Sequence, residues 1–358
     1  VIQGAIFLQM FALILFFLSQ FLLENVLANF LKSPEVYAAT EQYLSWRIYG
    51  FFFAVINVMF RAFYVGIART KVLTYNAIVM AIANIIGDYV LIFGKFGFPE
   101  MGVEGAAIAS VMSEIASVLF FVIYTFITVD FKKYGFVKMR FKMSIIKSIL
   151  NISSFTMVQY LISMSTWFIF FVAIERHSED ALKITNLVRS FYMVYFIPMN
   201  ALATTANTLV GNTIGMGNQK GVLPLIKKIC LLNLGIIVIM IALTLIAPEF
   251  WISFIAPKDQ ASLIGETVAP LIVLLFSLPI SSLGTVIFNS ISGTGNTKIA
   301  LILECITMVI YVCAMFWIVI YKQMSVAACW SVEYFYWGPL LIFSAIYITK
   351  AKWQNKKV

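Results

Sequence analysis

Long apolar stretches separated by short polar turns set the rhythm of the chain. Residues 1–23, 148–174, 190–219, 229–248 and 267–297 contain no Asp, Glu, Lys, Arg or His. Each run can cross about 30 Å of hydrocarbon at about 1.5 Å of helical rise per residue. Membrane barrels show weak alternating segments, so continuous runs of this kind predict helices. Ten spans are expected, at about 1–31, 43–68, 72–94, 104–128, 148–174, 181–214, 222–248, 262–293, 296–321 and 325–349. KSPE at 32–35, GKFGFPEMG at 94–102, GMGNQKG at 215–221 and APKD at 256–259 supply turns between them. Pro198 and Pro279 fall inside long spans and predict bends. The expected fold class is an all-α polytopic membrane protein.

Composition agrees. The chain is 62% hydrophobic and 11% charged, with a mean hydropathy of +0.96, more apolar surface than a soluble protein of 358 residues can hide. Its net charge of +9 does not point to nucleic acid, because the basic residues lie mostly in loops between spans. Loops after spans two, four, six, eight and ten hold 16 of the 25 basic residues, and the opposite loops hold six. The positive-inside rule makes the first set cytoplasmic, and with it both ends of this chain. The lone histidine, His177, sits in the polar turn ERHSED, so a His-ligated metal centre has nothing to be built from. Cys230, Cys305, Cys313 and Cys329 lie in apolar runs and read as small hydrophobes. No nucleophile, base and metal-ligand constellation is present, so neither an enzyme nor a cofactor is expected.

An internal repeat organises the spans. GIARTK at 66–71 and GTGNTK at 293–298 share Gly, Thr and Lys at matching places, 227 residues apart. At this offset the four spans of 1–128 match the four of 222–349 in sidedness. Parallel repeats about an axis along the membrane normal are a known transporter plan. The division expected is an incomplete four-helix N-lobe over 1–135 and a six-helix C-lobe over 136–358, joined by the basic connector 129–147. The second half has two leading spans without a counterpart in the first. That mismatch predicts two further helices ahead of Val1 and twelve in the whole protein.

The intramembrane charges are the candidate chemistry, because a charged side chain within a span is costly and tends to have a partner or a purpose. Asp88 lies in the run VLTYNAIVMAIANIIGDYVLIFG, and Asn84 sits one turn earlier on the same face. A carboxylate and an amide carbonyl aimed at one point suit Na⁺ or a proton. The same pair would equally serve as hydrogen-bonding groups to a neighbouring helix. Glu114 is about ten residues into its span, where it either lines a substrate cavity or bonds a neighbouring helix. Glu304 and Glu333 are similar cases in the second lobe. Arg189 and Glu333 lie at equal depth, which favours an ion pair between them. Arg47, near the outer end of its span, is expected to snorkel to the interface.

NIIGDYVLIFG followed by MGVEGAAIAS, with FRAFYVGIARTK before it, resembles the fifth and sixth helices of the multidrug and toxic compound extrusion (MATE) family. IPMNALATTANTLVGNTIGMGN resembles the family's eighth helix and following loop, and ISSLGTVIFNSISGTGNTK the end of its tenth. The resemblance implies a twelve-helix, two-lobed bundle around a central cavity, without its first two helices here. It implies a secondary antiporter of the cell membrane, the inner membrane of a bacterium, that exports amphipathic and often cationic small molecules against Na⁺ or H⁺ and works as a monomer. Asn84 and Asp88 match the asparagine and aspartate of the family's N-lobe cation site, and Ser110 its sixth-helix hydroxyl. Some relatives carry a seventh-helix glutamate, where this chain has Ser163. The alternative within the same superfamily is a flippase for lipid-linked oligosaccharides, whose cavity needs basic residues. Here Arg61 and Arg189 alone lie well inside spans.

Overall fold

The computed structural model describes residues 2–25, 34–67, 69–130 and 143–350, and among these there is no β-strand. The chain forms two compact units, Val1–Ile146 and Lys147–Val358. The division expected at 135/136 falls outside the described residues, as does most of the basic connector 129–147.

The first unit contains α1 (Ile2–Asn25), α2 (Pro34–Arg47), α3 (Gly50–Gly66), α4 (Lys71–Ile92) and α5 (Gly102–Thr128). The second contains α6 (Met143–Glu175), α7 (Glu179–Gly215), α8 (Val222–Ile246), α9 (Pro248–Ile255), α10 (Ile264–Gly293), α11 (Thr297–Met315), α12 (Val326–Trp330) and α13 (Val332–Lys350). Every predicted span carries helix. Among the described residues six helices are long and apolar enough to cross a membrane, and a seventh span is reached if the bent pair α2–α3 counts as one. The polar tract ALATTANT makes α7 less apolar than the others. Thr204, Thr205, Thr208 and Thr213 each donate their hydroxyl to the carbonyl four residues earlier, at 2.7–3.1 Å, which meets the need of these groups within the helix itself. Pro198 and Pro279 lie inside helices that continue past them, α7 and α10. The GIARTK and GTGNTK segments occupy equivalent places: one helix ends at Gly66 and the next begins at Lys71, one ends at Gly293 and the next begins at Thr297.

Helix termini follow their local chemistry. Ser178 caps α7 by accepting from the Ala181 amide at 3.0 Å, with Glu179 and Asp180 in the first turn where the helix dipole favours negative charge. The turn before α7 is fixed by His177, whose Nε2 lies 2.6 Å from the Val319 carbonyl oxygen beside the π-helical turn Phe316–Tyr321.

Packing differs between the units. In the first, Phe60 and Tyr64 of α3 stack on Phe121 of α5 at 5.2 and 5.8 Å, and Tyr64 Oη bonds Thr125 Oγ1 at 2.8 Å. In the second, α10 is the central helix, packed by α7, α8 and α13. Its apolar window is 61% buried inside the protein, against 11% for α4, which therefore presents most of its surface outward. The four cysteines are free thiols.

The span expected over 43–68 is interrupted. The chain bends by 50° between α2 and α3, at Ile48–Tyr49. Arg47 stands at this break and does not snorkel outward. Its two terminal nitrogens donate to both carboxylate oxygens of Glu114 on α5, at 3.1 and 2.7 Å. The Glu114 side chain is 7% exposed and that of Arg47 34%. A forked pair of this kind is strong and geometrically specific. Gly50 makes room for it: a β-carbon there would strike the Arg47 guanidinium and come within 2.5 Å of Glu114 Oε2. Gly50→Ala is therefore expected to force the pair apart. We expect a loss of about 2 kcal/mol, below the 3–5 kcal/mol of a fully buried pair because Arg47 is partly solvated. Thermal unfolding of the purified full-length protein measures it, and Glu114→Ala should give a loss of similar size.

Candidate cation site and buried acids

The first-unit candidates cluster where α4 meets α5. Val72, Asn76 and Leu91 of α4 are buried, whereas Ile78, Ile82, Ile85, Ile86 and Tyr89 are exposed. Asn84 and Asp88 are half-buried, at the margin between these faces. Two close contacts between the helices lie within a turn of Asp88. A β-carbon on Gly87 would lie 2.9 Å from that of Ala109, and one on Gly105 would lie 2.7 Å from the Leu91 carbonyl. Small residues at these two positions let backbones meet in a membrane. Ser110 follows Ala109 and is also half-buried, so Asp88 and Ser110 flank the same close contact. Among the described residues, the side chains of Asn84, Asp88 and Ser110 make no hydrogen bond or ion pair. A carboxylate, an amide oxygen and a hydroxyl are donors of the kind that suit a hard monovalent ion.

Deeper in the same unit lies a network that charge-based reading missed. Ser117 Oγ, fully buried, is 2.7 Å from Asn57 Oδ1 and 2.9 Å from Asn76 Oδ1. Asn57 Nδ2 donates to the Glu114 carbonyl at 3.2 Å. One hydroxyl proton serves one acceptor only, so full satisfaction requires the Asn76 amide turned over, its nitrogen donating to Ser117. The signal was present as two asparagines within apolar runs. Glu114, a candidate for the substrate cavity, is buried against this network and paired with Arg47.

In the second unit Arg189 and Glu333 do not pair. Arg189 is exposed, its guanidinium 5.1 Å from the centre of the Phe171 ring. Glu333 is 2% exposed, and its Oε2 accepts from Trp337 Nε1 at 3.1 Å and from Tyr192 Oη at 3.4 Å. Equal depth was a sound reason to consider the pair, but depth leaves the azimuth around each helix open, and Arg189 points away. Glu304 is fully buried. Its Oε1 accepts from Ser163 Oγ on α6 at 2.7 Å and from Tyr336 Oη on α13 at 2.8 Å. Among the described residues no group of three or more His, Cys, Asp and Glu side chains is placed to hold a metal ion.

Comparison with known proteins identifies the family. A relative from Thermotoga maritima with the name "Probable multidrug resistance protein NorM" is 28% identical over 290 residues, 80% of this chain and 61% of that protein. One of the same name from Agrobacterium fabrum is 34% identical over 111 residues, 31% of this chain and 24% of its own length. The chain thus spans less than two thirds of the curated relatives it matches. Among solved structures, an outward-facing multidrug resistance MATE family transporter of the MOP superfamily superposes with a TM-score of 0.85 at 15% identity, covering 99% of this chain and 78% of that one. A MOP superfamily transporter from Pyrococcus furiosus does so at 0.85 and 16%, covering 99% and 78%. At such identities the structures speak for the fold alone. The family profile MatE matches residues 1–90 and 155–317, most of the chain, and this multi-pass membrane protein belongs to that family.

Proposed function

We propose that the protein is a secondary antiporter of the bacterial inner membrane, exporting amphipathic, often cationic compounds in exchange for Na⁺ or H⁺. The observation that carries the reading is Asp88. It is a half-buried carboxylate on an apolar helix, without a partner among the described residues, beside a close contact of α4 and α5. A structural acid in hydrocarbon is normally answered by a neighbour, as Glu114 is by Arg47. Asp88 is left free to take an ion, with Asn84 and Ser110 as further oxygen donors. The names of the relatives support drug export as the use to which such an ion is put.

Coupling requires that the ion favour one conformation, because a ligand of equal affinity for both shifts nothing. The Gly87–Ala109 contact gives the ion leverage: a change at Asp88 acts directly on helices whose backbones already touch through small residues. The flippase reading has less support: Arg61 and Arg189, the basic residues well inside spans, are exposed, one in each unit.

Efflux of a fluorescent organic cation from proteoliposomes, driven separately by a Na⁺ gradient and by a pH gradient, tests the proposal with the full-length protein. Asp88→Asn keeps the shape and removes the charge, and is expected to lower gradient-driven export by more than about tenfold, or about 1.4 kcal/mol of lost driving interaction. Export at the wild-type rate would place coupling elsewhere. Asn84→Ala is expected to weaken ion affinity and to recover transport at high ion concentration. Orientation has its own test. Ser144, exposed at the start of α6, is expected on the cytoplasmic side. A single cysteine there, in a background with the four native cysteines replaced, should resist an impermeant thiol reagent added outside intact cells. Ready labelling would reverse the orientation.

A further inference from the structure

Where the last turns of α13 meet the first turns of α11, a groove of about 420 Å³ opens on the surface of the second unit. Phe343, Ile346, Tyr347 and Lys350 of α13 line it, together with Leu303 of α11. The four α13 positions follow the i, i+3, i+4, i+7 spacing of one helix face, so the groove runs along the helix and reaches its final residue, Lys350. At about 1.5 Å of rise per residue, Phe343 to Lys350 spans about 10 Å. Its wall is anchored: Leu303 and Tyr347 pack against the buried cluster that contains Ala300, Leu340 and Ile348. The volume falls within the range of about 300–1,000 Å³ usual for small-molecule sites.

The groove is apolar along its length and polar at one end. Leu303, Phe343 and Ile346 offer hydrocarbon only. Tyr347 and Lys350 stand a turn apart, and among the described residues neither the phenol nor the ammonium has a hydrogen bond or ion pair. No acid lines the groove, and the sequence holds no Asp or Glu after Glu333. Basic residues gather at this end instead. Lys298 is exposed at the start of α11, and the sequence after Lys350 adds Lys352, Lys356 and Lys357. A lysine cluster directly after a membrane helix attracts anionic lipid, and the positive-inside rule puts this end at the cytoplasmic leaflet. An amphiphile with a hydrocarbon chain and a negative head matches both ends of the groove. A free phosphate has no use for the apolar wall, and a zwitterionic lipid brings a second cation to a basic surface. We propose that this groove binds an anionic phospholipid of the cytoplasmic leaflet, with an acyl chain along Leu303, Phe343 and Ile346 and the phosphate on Lys350. The Tyr347 hydroxyl is a second donor to the head group. The site draws on neither the ion coupling nor the export proposed above, so it stands or falls alone.

The test uses purified full-length protein in detergent and a phosphatidylglycerol that carries a photoreactive diazirine on one acyl chain. After illumination, proteolysis and mass spectrometry locate the adduct, which is expected on the peptides containing Leu303, Phe343 or Ile346. Unlabelled phosphatidylglycerol should displace the probe at least about fivefold better than phosphatidylcholine, the effect of one lysine beside an anionic head group. Glycerol 3-phosphate, a head without chains, should not compete. Lys350 is exposed at a helix end, so Lys350→Gln is not expected to disturb the fold, and it should remove most of the preference for phosphatidylglycerol. Lys228→Gln makes the same change of net charge at an exposed position near the start of α8, and should keep the preference. Equal displacement by the two lipids overturns the site and leaves the groove as ordinary lipid-facing surface. Adducts confined to other helices overturn it too, as does competition by glycerol 3-phosphate at the strength of the lipid. A preference that survives Lys350→Gln, or that Lys228→Gln lowers equally, removes Lys350 as the head-group partner and the proposal with it.

Discussion

A polar group inside hydrocarbon has no water to fall back on, so its place in the structure depends on the neighbour that answers it. That constraint shapes the first unit most visibly. The break between α2 and α3 puts Arg47 within reach of Glu114, Glu114 lends its carbonyl to Asn57, and Ser117 joins Asn57 to Asn76. The chain of contacts runs across α2, α3, α4 and α5. It is closed, and it holds the aromatic layer of Phe60, Tyr64 and Phe121 against the same helices.

Against this background the open groups stand out. Glu114, Glu333, Glu304 and Asp88 are all acids in helices, but their surroundings separate them. Glu114 meets a guanidinium, and Glu333 meets an indole and a phenol. Glu304 has one oxygen engaged and one orphaned, and Asp88 has no partner among the described residues. The first two acids are held in place by their donors and have little freedom to exchange an ion. The second two retain acceptor capacity in this MatE-family protein.

Helix approach is the other determinant. Gly87 against Ala109 and Gly105 against Leu91 bring α4 and α5 together without large side chains between them. Asp88 and Ser110 lie next to the first of these contacts. Ordinary leucine packing would hold these helices apart and separate the oxygens by the thickness of the side chains.

Periodicity and charge along the chain were enough to establish helices crossing a membrane, the repeat of GIARTK and GTGNTK at helix junctions, and the short set of acids that lie inside helices. These follow from local rules: apolar length against bilayer thickness, and the rarity of charge in a span. Partner choice does not, because it depends on how each helix is rotated about its own axis. Arg189 was matched by depth to Glu333, yet it lies over Phe171, while Arg47 turned to Glu114 through a bend that no single residue of WRIYGFFF announces. The amide network of Asn57, Asn76 and Ser117 joins three helices and so escapes any reading of one helix at a time. The face of α11 that carries Glu304, Thr307 and Tyr311 is legible as a spacing, but which of its oxygens lack partners is decided only when α6, α11 and α13 are packed together.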